Sequence, residues 1–278
     1  MDHILYYKKV CEKLTDFLDK KPLATRIWIP AGPKLLKRGS KNGIIYAKDV
    51  VELTNKKFLD ARKEFLHLKD ARSLLTKKQE SLWNYFVPRK NMDLFYSTNG
   101  EGYEKPLDRI FIDIDRHNLP AEKAQIVANE LIKIIDSDSN FPINYKKFFM
   151  WTGSSFHIYL LLKDKVEHEF YEDYLSYNNK HPLKSFTGKW AALIKSKTKI
   201  DVFAGHEKFP NKINLDPSQS VSGKLARAPY SLHMKDALTV DGIAVPLKQD
   251  QLQDKHLLKD LKKLNPENIF DSEYFKKV

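Results

Sequence analysis

The run Ile110-Phe111-Ile112-Asp113-Ile114-Asp115 constrains this chain more than any other stretch. Its alternation predicts a β-strand, with Ile110, Ile112 and Ile114 on one face and Phe111, Asp113 and Asp115 on the other. Side chains two apart on a strand leave the same surface, so the two carboxylates stand one pleat apart. At that spacing they repel unless positive charge sits between them. Hard divalent cations take oxygen ligands of this kind and complete their shells with phosphate oxygens. The alternative is a solvated strand end.

A chain of 278 residues has room for a large core, as one big domain or two intimate modules. Its 42% hydrophobic and 12% aromatic content is that of a folded protein. The net charge of +12 points to a polyanionic partner such as nucleic acid, unless it reflects only a lysine-rich background. One cysteine, Cys11, excludes an internal disulfide and any Cys-based zinc site. No apolar run approaches the ~20 residues needed to span a bilayer, and the N-terminus lacks the form of a signal peptide. The expectation is a cytoplasmic protein with no membrane contact.

Helical spacing predicts a first helix over residues 1–20 and mainly helical structure from Val50 to Phe86, with Phe58, Ala61, Phe65, Leu66 and Leu68 as core candidates. Strands are expected near 24–30 and 94–97. The loop 31–43 carries Lys34, Lys37, Arg38 and Lys41, which either grip phosphates or form a solvated surface. Arg89 and Lys90 are further candidates for nucleic-acid contact. Trp83, Tyr85 and Phe86 fit a base-stacking platform or, as the plainer reading, a core.

After the aspartate strand, Pro120 opens a helix with Ala124, Val127, Ala128, Leu131, Ile134 and Ile135 on its apolar face. Two strand-like runs follow, 147–151 and 156–162, joined by the turn Thr152-Gly153-Ser154-Ser155. Strand, helix and strand pair make half of a ferredoxin-like or RNA-recognition-like sheet. The turn offers N–H groups and hydroxyls to an anion, and His157 either donates to a phosphate or is an ordinary strand histidine. Residues 201–219 read as irregular. Asp216 is a third carboxylate or a turn aspartate before Pro217, with Asp201 as its competitor. Arg227 supplies a planar cationic fork suited to phosphate.

The ordered set IFIDID, GSSFH and LDPSQSVSGKLARAPYSLH, ending in AVPL, resembles the archaeo-eukaryotic primase superfamily. That family carries an hhhDhD motif, an SxH motif, and a downstream acidic residue followed by R-x-P-x-S-x-H. ARAPYSL is similar to the polymerase domain of end-joining DNA ligases, and the downstream pattern is equally similar to the small catalytic subunit of replicative primases. The resemblance implies an α/β fold, in which an N-terminal mixed α/β module (1–105) packs against an RNA-recognition-like catalytic module with a helical tail (106–278). It implies a template-directed nucleotidyltransferase, a DNA primase or polymerase, that makes or extends primers from nucleoside triphosphates on a DNA template-primer. Asp113, Asp115 and Asp216 would bind two Mg²⁺ or Mn²⁺ ions, and Ser155, His157, Arg227 and His233 the nucleotide. A large primase subunit, a ligase or a Ku-type protein are the implied partners, and no zinc is expected. Ser154 and Ser155 stand where many replicative primases carry a basic residue. This departure and the lack of a zinc knuckle favour a compact end-joining or accessory polymerase. A gap-filling repair polymerase, or a catalytically silent nucleic-acid-binding homologue, are the alternatives.

Overall fold

The structure is a computed structural model that describes residues 2–29, 35–177, 180–207 and 209–276. Its strands, in chain order, are β1 (Leu23–Ile27), β2 (Leu35–Lys37), β3 (Met92–Ser97), β4 (Leu107–Asp115), β5 (Tyr145–Trp151), β6 (Phe156–Val166), β7 (Val202–Ala204), β8 (Ile213–Asp216), β9 (Leu225–Arg227), β10 (Leu232–Met234), β11 (Val240–Ile243) and β12 (Val245–Leu247).

The aspartate-bearing run is β4, an inner strand of a six-stranded sheet ordered β12-β5-β6-β4-β8-β7. Its heart, β5-β6-β4-β8, is antiparallel at each pairing. One helix, Ala121–Ser137, links β4 to β5, and another, Phe186–Thr198, lies between β6 and β8. This is the β-α-β-β-α-β arrangement of an RNA-recognition-like domain. The α/β class expected from the sequence is therefore the observed one.

Both helices pack together on one side of the sheet. The first presents Ala124, Val127, Ala128, Leu131 and Ile135, all buried, in the 3.6-residue rhythm of an amphipathic helix. The second starts where the Ser185 hydroxyl accepts from the Gly188 N–H at 3.1 Å. It stops at Lys199, whose φ of 62° leaves the right-handed region.

The sheet's other face is covered by a second sheet, ordered β2-β1-β3-β9. Phe17 lies between the two, its ring centroid 5.7 Å from Tyr96, 4.9 Å from Phe148 and 6.1 Å from Tyr159. Consequently both side-chain rows of β6 are buried: Phe156, Ile158 and Leu160 under the helices, His157 and Tyr159 under the second sheet. β9, which follows β8 of the first sheet in the chain, pairs with β3, so the carboxyl-terminal segment stitches the two sheets together. The tail continues this: Gln125 donates to the Leu252 carbonyl at 3.0 Å, and Phe270 meets the Tyr6 ring 5.0 Å away.

Several local expectations are corrected. The first helix spans only His3–Lys13. Residues 201–219 hold two short strands, β7 and β8. Leu66, read as core, is 46% exposed because its helix ends at Glu64. Trp83, Tyr85 and Phe86 are buried, which bears out the plainer reading of them as core. No helix among the described residues is long and apolar enough to cross a membrane.

Candidate active site

Register brings the sequence motifs to one place. On β4, Asp113 is directly opposed to His157 of β6 on one side and to Asp216 of β8 on the other. Opposed residues on antiparallel neighbours share a face and approach to about 4.5–5.5 Å between Cα atoms. Asp115, two residues on, belongs to the same face and is opposed to Asn214. Asp201 is excluded from this row; it pairs with Lys195 at 2.5 Å and Lys212 at 3.8 Å. Asp108, at the far end of β4, is tied to Lys21.

The row lacks compensating charge. Burial first, then Asp115 and Asp216, push the Asp113 carboxyl up to about 8, and Arg227 only partly opposes them. A third of its side chain still reaches solvent, so the carboxyl is not sealed. His157 Nε2 stands 3.5 Å from Asp113 Oδ1 and its Nδ1 3.4 Å from the Tyr159 hydroxyl. Burial, then Arg227 and His233, hold His157 well below its ordinary pKa, so the ring is neutral. The Phe111 ring stacks edge-on at 4.6 Å and fixes its plane.

Among the described residues, no group of three or more His, Cys, Asp or Glu side chains converges as a ready cage for a metal. The two flanking carboxylates each have a local partner. Asp115 accepts from the His117 N–H at 3.0 Å and lies 3.5 Å from His117 Nδ1. Asp216 accepts from the Ser218 N–H at 2.8 Å. The donor chemistry nevertheless suits hard divalent ions, which take carboxylate oxygens and would offset the mutual repulsion of adjacent carboxylates.

The turn before β6 is anchored at both ends. Ser155 donates its hydroxyl to the Ile114 carbonyl, so this buried side chain is turned to β4. Arg116 donates to the Ser154 carbonyl at 2.7 Å. Ser154 is the more accessible hydroxyl, 3.4 Å from His233 Nε2. Gly153 has φ of 99°, and a Cβ there would meet His233 Cβ at 2.5 Å, so only glycine lets the turn sit over the β10–β11 hairpin. Burial and then Arg227 lower the His233 pKa to about 4. Arg227 donates to the Leu232 carbonyl at 2.7 Å and lies 3.6 Å from Asp93 Oδ1.

The basic candidates divide. Arg38 is paired with Glu101 at 2.8 Å and donates to the Gly223 carbonyl at 3.0 Å. Lys41 and Arg89 are exposed, and Lys37 and Lys90 half-buried. Lys34 lies outside the described residues. Sequence reasoning passed over Arg116 and His117, which directly follow Asp115, and Asp93 and Arg26, which reach the site through strand register.

Comparison with known proteins decides the family. A profile described as the LigD primase-polymerase domain matches residues 1–271.

The chain belongs to the LigD primase-polymerase family.

As a member it is a nucleotidyltransferase of the primase-polymerase kind. Among solved structures it is similar in fold to the polymerase domain of Mycobacterium tuberculosis ligase D in complex with DNA. That match has a TM-score of 0.52 at 14% identity, and covers 90% of this chain and 81% of that one. No curated protein matches the chain.

Proposed function

We propose that this LigD-type chain is a template-directed polymerase that adds nucleotides to a primer end in gapped DNA, in the manner of an end-joining repair enzyme. The observation that carries this reading is the register that sets Asp113 between Asp216 and His157. Asp113, Asp115 and Asp216 would hold two Mg²⁺ or Mn²⁺ ions. Such a pair supplies activation of the primer hydroxyl and stabilisation of the leaving pyrophosphate.

The chain's own residues bind and orient. Neutral His157 presents Nε2 beside Asp113, where it can donate to a phosphate oxygen without adding charge. Arg227, held by Asp93 and the Leu232 carbonyl, offers its remaining N–H groups to the triphosphate. His233 and the Ser154 hydroxyl border the same turn. Ser155 braces that turn against β4. The net charge of +12, the exposed Lys41 and Arg89 and the half-buried Lys37 and Lys90 suit the DNA backbone. The DNA held by the similar M. tuberculosis domain supports the same partner.

The test is incorporation of labelled nucleotides on a gapped duplex with a 5′-phosphate, beside an unprimed single strand. Gap filling alone is the expected result. Products on the unprimed strand would instead make the chain a primase, and no product on either would return it to a binding protein.

A further inference from the structure

Between Arg227 and His233 the chain makes a tight turn, Ala228–Ser231, closed where the Ser231 N–H donates to the Ala228 carbonyl at 3.1 Å. Pro229 takes its second position and Tyr230 its third, with φ of 59°. A left-handed third position belongs to Gly or Asn. For a bulky residue such backbone is an outlier, and it persists only where the surroundings over-determine it. Here they do. The Tyr230 N–H donates to the Ala244 carbonyl at 2.7 Å, and the Ala244 N–H donates back to the Ser231 carbonyl at 2.8 Å. From the first helix, the Tyr6 hydroxyl donates to the Tyr230 carbonyl at 2.8 Å. The Tyr230 ring is fully buried, with Phe275 of the tail 4.9 Å away, and its hydroxyl donates to the Tyr274 carbonyl at 2.9 Å. Phe275 meets Phe270 at 4.9 Å, and Phe270 rests on Tyr6.

The strained turn governs what lies on either side of it. Arg227 donates across it to the Leu232 carbonyl at 2.7 Å. The same carbonyl accepts from the Ser231 hydroxyl at 3.0 Å, and the Leu232 N–H donates to the Tyr7 hydroxyl at 3.2 Å. If Tyr230 relaxed to negative φ, the chain after it would leave in another direction. It would carry away the carbonyl that anchors Arg227, and His233 with it. Glycine would adopt the same dihedral at lower cost, but would offer the tail no ring and no hydroxyl. A tyrosine at this position is therefore a handle by which the tail grips the turn.

We propose that Tyr230 is a positioning residue for nucleotide binding: the tail, through the Phe275 ring and the Tyr274 carbonyl, holds its left-handed turn, and the turn sets Arg227 and His233 for the triphosphate. The inference rests on the assignment of Arg227 to the nucleotide in the reading above. Strain of this class, once its restraint is removed, shifts an equilibrium by about 5- to 150-fold. Loosening the tail therefore weakens nucleotide binding from a distance, with no contact between tail and nucleotide.

The experiment is equilibrium titration of the full chain with Mg²⁺-deoxynucleoside triphosphate and, in parallel, with a gapped duplex, well below the Tm of each variant. It compares wild type with Phe275→Ala, Phe275→Tyr, Tyr230→Phe and Arg227→Gln. In Phe275→Ala the triphosphate Kd should rise about 10-fold while the duplex Kd stays put. Phe275→Tyr, which keeps the ring, should bind as wild type. Tyr230→Phe loses one hydrogen bond to the tail and should raise the triphosphate Kd about 3- to 10-fold. In turnover both weakened variants should raise the nucleotide KM more than they lower kcat. Their double variant should lose less than the product of the two, since both act through one turn. Wild-type triphosphate affinity in folded Phe275→Ala, whatever its Tm, overturns the proposal, as does an equal loss of nucleotide and duplex. Tyr230→Phe at wild-type affinity overturns it too, and decides the matter if Phe275→Ala does not fold. Triphosphate affinity unchanged in Arg227→Gln would instead overturn the assignment on which the inference rests.

Discussion

Asp113 and Asp216 are directly opposed across the β4–β8 pair, like charges on neighbouring strands. Such pairing destabilises a sheet unless something offsets it. The arrangement makes sense as a binding device that is costly when empty and relieved by cations.

Stability without divalent ions should therefore report the row. The Asp113 pKa is about 8 in the fold against an ordinary 3.8, so the folded state holds the proton more tightly. Its contribution to stability then falls as pH rises from about 4 to about 8. In chelator at pH 8.5, Asp113→Asn should melt above wild type. Mg²⁺ or Mn²⁺ should raise the wild-type Tm and leave the variant's nearly unchanged. A variant that melts lower in chelator contradicts this.

His233 gives the opposite sign. Its pKa is about 4 in the fold against 6.5, with burial the main cause, so the unfolded chain binds more protons between those values. Stability is lost as pH falls through that window. Between pH 7 and 5, wild type should lose on the order of 1–2 kcal/mol more than His233→Asn. Denaturant titrations at the two pH values measure the difference.

Gly153→Ala tests the turn. The added Cβ would be strained at φ 99° and would press on His233. Strain of this kind costs about 1–3 kcal/mol. Both the Tm and the nucleotide affinity should fall, and an unchanged Tm would show that the turn yields easily.

Much of this was legible in the sequence where pattern and structure share a period. The aspartate strand, the helix after Pro120 and the hairpin around the turn each announce themselves by alternation, helical spacing or turn chemistry. β7 and β8 did not, because strands of three and four residues hold too few positions to show a period. Burial of both rows of β6 hid which face was the working one. Arg26, Asp93 and His117 were missed for other reasons. Arg26 and Asp93 lie far from the motifs along the chain, and only pairing register brings them near, whereas His117 sits two residues past Asp115 in a turn whose geometry no period announces. Leu66 misled because helical spacing ran past the point where the helix stops.

A fourth consequence lies away from the chemistry. Lys21 is 5% exposed and is held by Asp108 and by the Thr98 carbonyl at 2.8 Å. Asp108→Ala leaves that ammonium without its carboxylate, at a cost of about 1–3 kcal/mol. Because Asp108 lies at the other end of β4, nucleotide affinity should survive. Urea denaturation beside nucleotide titration separates the two.

The most direct test of the central claim is single-nucleotide incorporation on a primed gapped duplex with Mn²⁺, comparing wild type with Asp113→Asn and Asp216→Asn while duplex binding is followed in parallel. If the opposed carboxylates do the chemistry, each variant should lose on the order of 10²-fold or more of the rate while still binding the duplex. Incorporation at wild-type rates by either folded variant would contradict the account.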